Sequence, residues 1–497
     1  MKPPQPLADL LARGFALLEA GLLDDARQVT RRLDAYRPEP PGLAYLLGLL
    51  ALAEGQGRKA AQHLARAMAQ NPEALPPALA WARAQTRQGR SVEALAGYRR
   101  VQVLAPDLPI ACSEAAELTL ATGNLRTALT PLERAVRLRS DHAGLRNNIA
   151  LALRATDRLD EAERNLRHAV TLDPQPASPY ANLADLLRHR HRPAAAYARR
   201  AALLEPTSAD HQRQLGQAYA ASGDDAAAVP ALRSAVALLP ARADLLWLLA
   251  QSLRRTGSDA AIPLFQWLLR LDPSDSFGAG LALAQTGAVP APLAPAAAHI
   301  AALYDQYAPS FEIDLLGTLA YRGPEILLDA LVRGGLNAPR DVLDLGCGTG
   351  LMGAAIRSRA RRLDGIDLSP RMVEIARHRA VYDDLTVGDL VDCIKARPGR
   401  YDLLVAADVL IHLGDLAPLM AAAAAALRPG GGFAFTVERG DRNDFALSPT
   451  GRYTHGEAYL RSLAESHGLI VRLLEPTSTR REQGRPVPGL LCLLAAP

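Results

Sequence analysis

The sequence predicts two architectures in one chain: an all-α array of helical hairpins, then an α/β domain on a mostly parallel seven-stranded sheet with an antiparallel edge strand. Three observations carry this. Residues 7 to about 275 repeat with a period near 34 residues. A glycine-rich stretch, Asp341-Val-Leu-Asp344-Leu-Gly346-Cys347-Gly348-Thr-Gly350, follows a short apolar run. Behind it come strand candidates that end, in order, on acids: Asp344, Asp367, Asp389 and Asp408. The expected division is a repeat array over 7–275, a capping helix and Pro/Ala linker over 276–298, and an α/β domain over 299–497.

In the repeats one position is always small: Gly14, Gly48, Ala82, Ala116, Ala150, Ala184, Gly216 and Ala250. Seven residues later a turn residue recurs, Gly21, Gly55, Gly89, Gly123, Asp157, Gly223 and Gly257, and most repeats close on proline. Small residues let paired helices approach, and glycine and proline interrupt the chain between them. The period is that of a tetratricopeptide repeat, whose hairpins stack into a curved array with a concave face. Along the expected concave row, Glu114, Asn148, Asn182 and Gln214 break an otherwise apolar series (Ala12, Leu46, Ala80, Leu248). Asparagine donates and accepts at once, so this row suits the backbone of an extended peptide or protein partner. Asparagine is also simply common at this position of such repeats. Arg146, Asn147, Arg188 and Arg213 lie nearby and favour an acidic partner.

After Pro273, residues 277–286 read as a lone helix covering the open end of the array. Ala288 to Pro295 read as a stiff extended spacer, and residues 299–335 as helices before the first strand. The glycine stretch then reads as a buried strand entering a tight turn into a helix. Gly346, Gly348 and Gly350 remove Cβ atoms, so a ligand can lie on bare backbone. The spacing differs from the dinucleotide fingerprint, whose third glycine comes one residue later.

Arg362 to Asp367 form the next strand candidate, and its terminal acid suits the two hydroxyls of a ribose. Ser369-Pro370 reads as an N-cap with proline at the first helical position. Leu385 to Val387, Tyr401 to Ala407 and Phe433 to Val437 continue the series, the last after a turn at Arg428 to Gly432. Segments 469–474 and 489–494 supply the final strands. Asp344 taken alone also reads as a structural acid satisfying loop amides, and Asp367 as a helix cap.

These stretches resemble motif I and the succeeding motifs of class I S-adenosylmethionine (SAM) methyltransferases. The whole chain resembles bacterial proteins in which tetratricopeptide repeats precede such a domain, its catalytic half similar to trans-aconitate-methyltransferase-like enzymes. Tyr304 to Phe311, Leu319 to Pro324, Ala407-Asp408 and Phe433 to Glu438 support the likeness. The resemblance implies a Rossmann-like domain, SAM as cofactor and S-adenosylhomocysteine as product. It implies a cofactor site of Tyr307, Arg322, Asp344, Gly346, Cys347, Gly348, Gly350, Asp367, Leu368, Met372, Asp389, Leu390 and Asp408. Asp389 would contact the adenine amino group and Leu390 would cover the ring. Arg322 is the candidate for the methionine carboxylate, because arginine grips carboxylates bidentately; it also reads as a surface residue before a helix. Tyr304 and Tyr307 read either as a lid or as core aromatics.

Methyl transfer is an in-line displacement in which the site mainly positions donor and nucleophile. A hydroxyl or amine acceptor often needs a base, a carboxylate or thiolate does not. The catalytic candidates are His412, Asp408, Glu438 and His455, with His412 foremost because neutral imidazole takes a proton near pH 7. His412 also reads as a packing residue, and it stands where the resembled enzymes more often carry an aromatic. Arg452, Arg480 and Arg481 are candidates for binding an acidic substrate. The expected function is methyl transfer to a protein or peptide recruited by the repeats. The alternatives are a small, carboxylate-type acceptor with the repeats used for assembly, or a SAM-binding scaffold without activity.

The chain has 497 residues and a net charge of +4, too mild to imply nucleic acid. Cys112, Cys347, Cys393 and Cys492 show neither metal spacing nor a disulfide framework. The start, Met1-Lys-Pro-Pro-Gln-Pro, lacks a hydrophobic signal core, and no apolar run reaches membrane-spanning length. A reducing cytoplasm is the expected home, with no metal and no membrane partner.

Overall fold

The computed structural model describes residues 5–336 and 340–497. The opening residues Met1 to Pro4, read above for a missing signal core, lie outside the described residues. The chain divides into two compact units, one ending at Asp224 and one running Asp225–Pro497.

The first unit is helical. Gln5–Glu19 pairs with Leu23–Asp34, and the pattern recurs through Ala177–His189 and Ala195–Leu204, followed by Ala209–Ala221. The small residues Ala82, Ala116, Ala150 and Ala184 are buried where paired helices cross. Each turn needs one residue in the left-handed region. Gly89 takes φ 71°, Asp157 φ 62° and His191 φ 53°. In each case the next amide donates back into the preceding helix, as Arg90 N does to Gln85 O at 3.0 Å and Arg192 N to Leu187 O at 2.8 Å. Glycine is missing from the fifth and sixth hairpins, where Asp157 and His191 make the same turn at some conformational cost.

The second unit opens with helices Asp225–Leu238, Ala243–Arg255 and Ala261–Leu271, which keep the repeat pattern. Helices Ala279–Gln285, Ala297–Tyr307 and Gly323–Arg333 lead to the sheet. Its strands are β1 (Arg340–Leu345), β2 (Ala360–Asp367), β3 (Asp384–Val387), β4 (Tyr401–Ala406) and β5 (Leu427–Arg439), then β6 (Phe445–Leu447), β7 (Tyr453–His455) and β8 (Ile470–Thr477). A separate two-residue ladder, β9 (Arg481–Glu482) with β10 (Arg485–Pro486), precedes β11 (Gly489–Ala495). The main path is β3-β2-β1-β4-β5-β11-β8. The first five pair in parallel, whereas β11 runs antiparallel to both β5 and the edge strand β8. The expected fold class is therefore the observed one. Short β7 adds to the end of β5, and β6 adds to β7.

Successive residues of the central strands face opposite layers, as the pleat requires. Leu343, Leu404 and Phe435 face the helices Ala417–Ala426 and Glu457–Ser466. Val342, Leu403 and Ala434 face Gly323–Arg333 and Leu351–Ile356. Both faces are covered, so these strands read as continuous apolar runs.

One expectation needs correction. The turn expected at Arg428 to Gly432 is part of β5; the register jumps from Tyr401↔Leu427 to Leu403↔Gly432, and the extra glycines are absorbed as a bulge. The spacer over 288–295 is docked along the α/β domain. Leu293 O accepts from Gly414 N at 2.9 Å and Asp415 N at 3.0 Å, and Pro292 O accepts from Tyr453 Oη at 2.6 Å.

Phe435 is fully buried against Phe433, ring centroids 4.7 Å apart. Phe435→Ala is expected to cost the second unit about 3–5 kcal/mol. Urea unfolding followed by near-ultraviolet circular dichroism measures this; a loss below about 1 kcal/mol contradicts the packing described.

Candidate active site

The carboxyl ends of β1, β2 and β4 and the turn after β3 converge on one cavity of about 630 Å³. Gly346 and Gly348 form its backbone floor, at φ 64° and 52°. A Cβ on Gly346 would lie 2.2 Å from Val409 Cγ2, so only glycine fits. A Cβ on Gly348 would meet nothing nearer than Phe311 Cε1 at 3.9 Å, so its peptide is open to a ligand.

The acids are set around this floor. Asp367 accepts from Gly348 N at 2.8 Å through one oxygen and from Ser369 N at 2.9 Å through the other. Ser369, not Asp367, caps the following helix, accepting from Met372 N at 3.1 Å. Asp389 caps its helix with one oxygen, at 2.9 Å from Val391 N and 3.2 Å from Asp392 N. Its other oxygen has no protein partner among the described residues. Asp344 is 1% exposed. Tyr382 Oη donates to its Oδ2 at 2.6 Å, while Oδ1 is buried without a partner. Burial, with the Asp367 charge beside it, pushes Asp344 up to about 7 against the pull of that hydrogen bond. Burial also raises Asp367. No arginine or lysine pairs with Asp344, Asp367 or Asp389 among the described residues.

Of the expected cofactor residues, Tyr307, Gly346, Gly348, Asp367 and Leu368 line the cavity. So do Met372, Asp389, Leu390 and Asp408. Arg322 does not: its residue is exposed, and only its backbone enters the fold, N donating to Thr479 O at 2.7 Å. Its neighbour Tyr321 lines the wall instead. Asp344 and Cys347 lie behind the loop. Burial holds the Cys347 thiol well above its ordinary range. Gly350, at φ 93°, is spent on entering the helix Leu351–Ile356.

The catalytic candidates separate in the same way. His412 lines the cavity, and its Nε2 lies 2.6 Å from Tyr304 Oη. Burial, then the charges of Arg452, Arg480 and His299, push His412 down to about 4. Burial raises the Tyr304 hydroxyl far above its ordinary value. The pair is therefore a neutral phenol hydrogen-bonded to a neutral imidazole. Tyr304 and Tyr307 both line the wall, and their helix is pinned by Asp305, which accepts from Ser369 Oγ at 2.5 Å and Arg371 N at 3.1 Å.

Asp408, Glu438 and His455 are not free bases. Asp408, at φ 55°, accepts from Thr479 Oγ1 at 2.7 Å and from Arg480 Nη1 at 2.7 Å. Arg480 is 5% exposed and also binds Glu438. Arg452 Nε lies 2.7 Å from Glu438 and its Nη2 2.6 Å from Glu482. These arginines are thus neutralised by their own carboxylates and do not await an acidic substrate. Arg481 is exposed and donates to Gly484 O at 3.1 Å. His455 is buried outside the cavity, its Nε2 3.0 Å from Gly414 O and its ring stacked on Tyr459.

The wall also holds residues the sequence reading passed over: Trp247, Gln251 and Arg254 on the helix Ala243–Arg255, and Ile300, Leu303 and Phe311. Periodicity assigns Trp247 and Arg254 to a repeat, and no local signal ties a repeat helix to a glycine loop about a hundred residues away.

On the repeat row, Asn182 Nδ2 donates to Asn147 Oδ1 at 2.8 Å, and Asn147 Nδ2 to Asn148 Oδ1 at 3.3 Å. Gln214 Oε1 is buried without a partner. Glu114 is taken by Arg83 Nη2 at 2.6 Å.

A family model described as a methyltransferase domain matches residues 342–431, and one described as a tetratricopeptide repeat matches residues 143–176. The chain thus carries a methyltransferase domain behind a tetratricopeptide region. A ubiquinone biosynthesis O-methyltransferase of Methylobacterium sp. (strain 4-46) is 33% identical over 114 residues, 22% of this chain and 45% of that protein. One of Thiobacillus denitrificans (strain ATCC 25259 / T1) is 31% identical over 148 residues, 29% of this chain and 62% of that protein. The chain therefore spans less than two thirds of the length of these relatives. The solved tetratricopeptide protein YrrB, described with an unusual peptide-binding site, matches 36% of this chain and 94% of its own length, at 20% identity and a TM-score of 0.33. Among the described residues no helix is long and apolar enough to cross a membrane.

An unfolded histidine takes up a proton below about pH 6.5, whereas His412 in the fold does so only near 4. The folded pKa is depressed, so the unfolded state binds more protons across this window and His412 lowers stability as pH falls from 6.5 to 4. Nuclear magnetic resonance titration of the ring is expected to give a midpoint near 4; a midpoint of 6 or above contradicts the buried, neutral pair with Tyr304.

Proposed function

We propose that this chain is a SAM-dependent methyltransferase acting on an acceptor oxygen that enters the cavity. The observation that carries this reading is the set of carboxylates without counter-ions around an exposed glycine backbone. An acidic, hydrogen-bonding cradle of this kind fits a nucleoside cofactor with net positive charge. When bound, that cofactor supplies a methyl group on a sulfonium, electrophilic enough for direct displacement.

The chain's residues take the following parts. Asp367 retains lone pairs for both ribose hydroxyls, and the open oxygen of Asp389 suits the adenine amino group. Leu368, Met372 and Leu390 supply apolar contact. Asp408 is a positioning residue held by Arg480 and Thr479. An acceptor hydroxyl can pass its proton to Tyr304 as Tyr304 passes its own to His412 Nε2; a carboxylate acceptor dispenses with that relay. The similarity to O-methyltransferases supports an oxygen acceptor. The trans-aconitate-like resemblance supports a small, carboxylate-type one. We divide the chain functionally as the sequence suggests: repeats over 7–275, a connecting segment over 276–298 and the transferase over 299–497.

A second reading is favoured by the Asn148–Asn147–Asn182 amide chain: the repeats recruit a peptide or protein and raise its local concentration. Alanine at Asn148 and Asn182 should then lower transfer to macromolecular acceptors while leaving S-adenosylhomocysteine binding intact.

Asp367→Ala removes charge-assisted hydrogen bonds worth about 1.5–3 kcal/mol each. It should weaken S-adenosylhomocysteine binding by about 100-fold in calorimetry and abolish transfer from labelled SAM to acceptors in a lysate. Undiminished binding and transfer by the variant contradict the role of Asp367. A wild-type chain that binds neither SAM nor S-adenosylhomocysteine contradicts the methyltransferase reading, and one that binds them without transfer supports the SAM-binding scaffold.

A further inference from the structure

The cavity has a second region. A path of neighbouring side chains leads away from the glycine floor. Phe311 stands nearest Gly348 and packs against Tyr304, ring centroids 6.2 Å apart. Tyr304 binds His412, and His299 is close enough to depress His412. The His299 ring covers Gly278, where a Cβ would lie 2.6 Å from its Nε2. Beside Gly278, Phe277 lies 6.1 Å from Trp247, centroid to centroid. Trp247 shares the helix Ala243–Arg255 with Gln251 and Arg254, and all three line the cavity.

The charge state of this far wall differs from every other arginine of the cavity. Arg452 and Arg480 are neutralised by Glu438, Glu482 and Asp408. Arg254 has no carboxylate partner among the described residues. Its Nε and Nη2 both donate to Gln251 Oε1, at 3.1 and 3.0 Å, which fixes the guanidinium while leaving its full charge and the Nη1 donors unspent. The neighbouring Arg255, by contrast, is paired with Asp225 at 2.6 Å. Burial and Arg255 lower Arg254 from its ordinary value, as expected for a cation lacking an anion. A half-buried cation held rigid in an apolar wall is a receptor for an anionic group. Trp247, Leu281, Ile300 and Leu303 line the same cavity as Arg254 and His412 and give it an apolar wall.

We propose that the last helical repeat forms the acceptor's specificity wall, with Arg254 binding an acid group of an acceptor whose apolar body lies across Trp247, Leu281, Ile300 and Leu303. The substrate class is an apolar-bodied organic acid, carrying its reactive oxygen toward the Tyr304–His412 pair. The proposal rests on the methyltransferase reading only for which end the donor occupies. In it the repeat segment is part of the chamber itself, besides any role in recruitment.

The test uses the full chain and two probes of one shape, 2-naphthoate and neutral 2-naphthamide, in calorimetry at pH 7.5 with S-adenosylhomocysteine present. Wild type is expected to prefer the naphthoate by about 10-fold or more. Arg254→Gln should bring that preference near unity, and Arg254→Lys should restore part of it, with thermal midpoints checked for each. S-adenosylhomocysteine affinity should stay unchanged in both variants. A preference that survives Arg254→Gln, or a wild type that binds neither probe or both equally, overturns the proposal. Loss of S-adenosylhomocysteine binding in wild type would instead overturn the methyltransferase reading, and the probe preference would still be read on its own.

Discussion

The second unit is organised around carboxyl groups that the fold buries without counter-ions. Asp344 and Asp367 lie at or near the carboxyl ends of adjacent parallel strands, register partners being Asp344↔Gly365 and Leu345↔Ile366, so both acids stand at one rim of the sheet. Burying charge in this way is expensive. The fold meets the cost in part by raising Asp344 to about 7, and in part by giving Asp367 two backbone amides. In the proposed reading the residual deficit is what a cationic ligand relieves at this rim.

The opposite treatment of charge is seen a few residues away. Arg480 is buried between Asp408 and Glu438, and Arg452 bridges Glu438 and Glu482. That network is satisfied within itself. It holds Asp408 in a left-handed backbone conformation at the end of β4, and its positive charges help keep His412 neutral. Among the described residues that line the cavity, Arg452 and Arg480 are thus paired with carboxylates, whereas Arg254 is not.

Much of this was legible in the sequence because the signals are local. The glycine loop, the Ser369 cap and the apolar runs of β1, β2, β4 and β11 each announce themselves within ten residues, and so does the recurring hairpin turn. What escaped was set by tertiary packing. His191 makes a turn by accepting a left-handed conformation that glycine takes freely. The Arg428 to Gly432 stretch looks like a turn but bulges within β5, because strand pairing overrides glycine propensity. Arg480 and Glu438 read as candidate site residues singly; only their mutual burial shows them to be partners. Trp247 and Arg254 carry a repeat's spacing and give no local hint of a cavity.

Three features share one cavity: an acid-rich floor, a neutral tyrosine–histidine pair and an arginine on a repeat helix without a carboxylate partner among the described residues. The first part bears the rest, since without a cation at the rim the pair and the arginine have no donor to face. Its most direct test is proton release on binding SAM to the full chain at pH 6.5, measured calorimetrically in buffers of different ionisation enthalpy. A cation beside Asp344 and Asp367 favours their ionised forms, so binding is predicted to release a substantial fraction of a proton. Binding without release, or with proton uptake, would contradict the account.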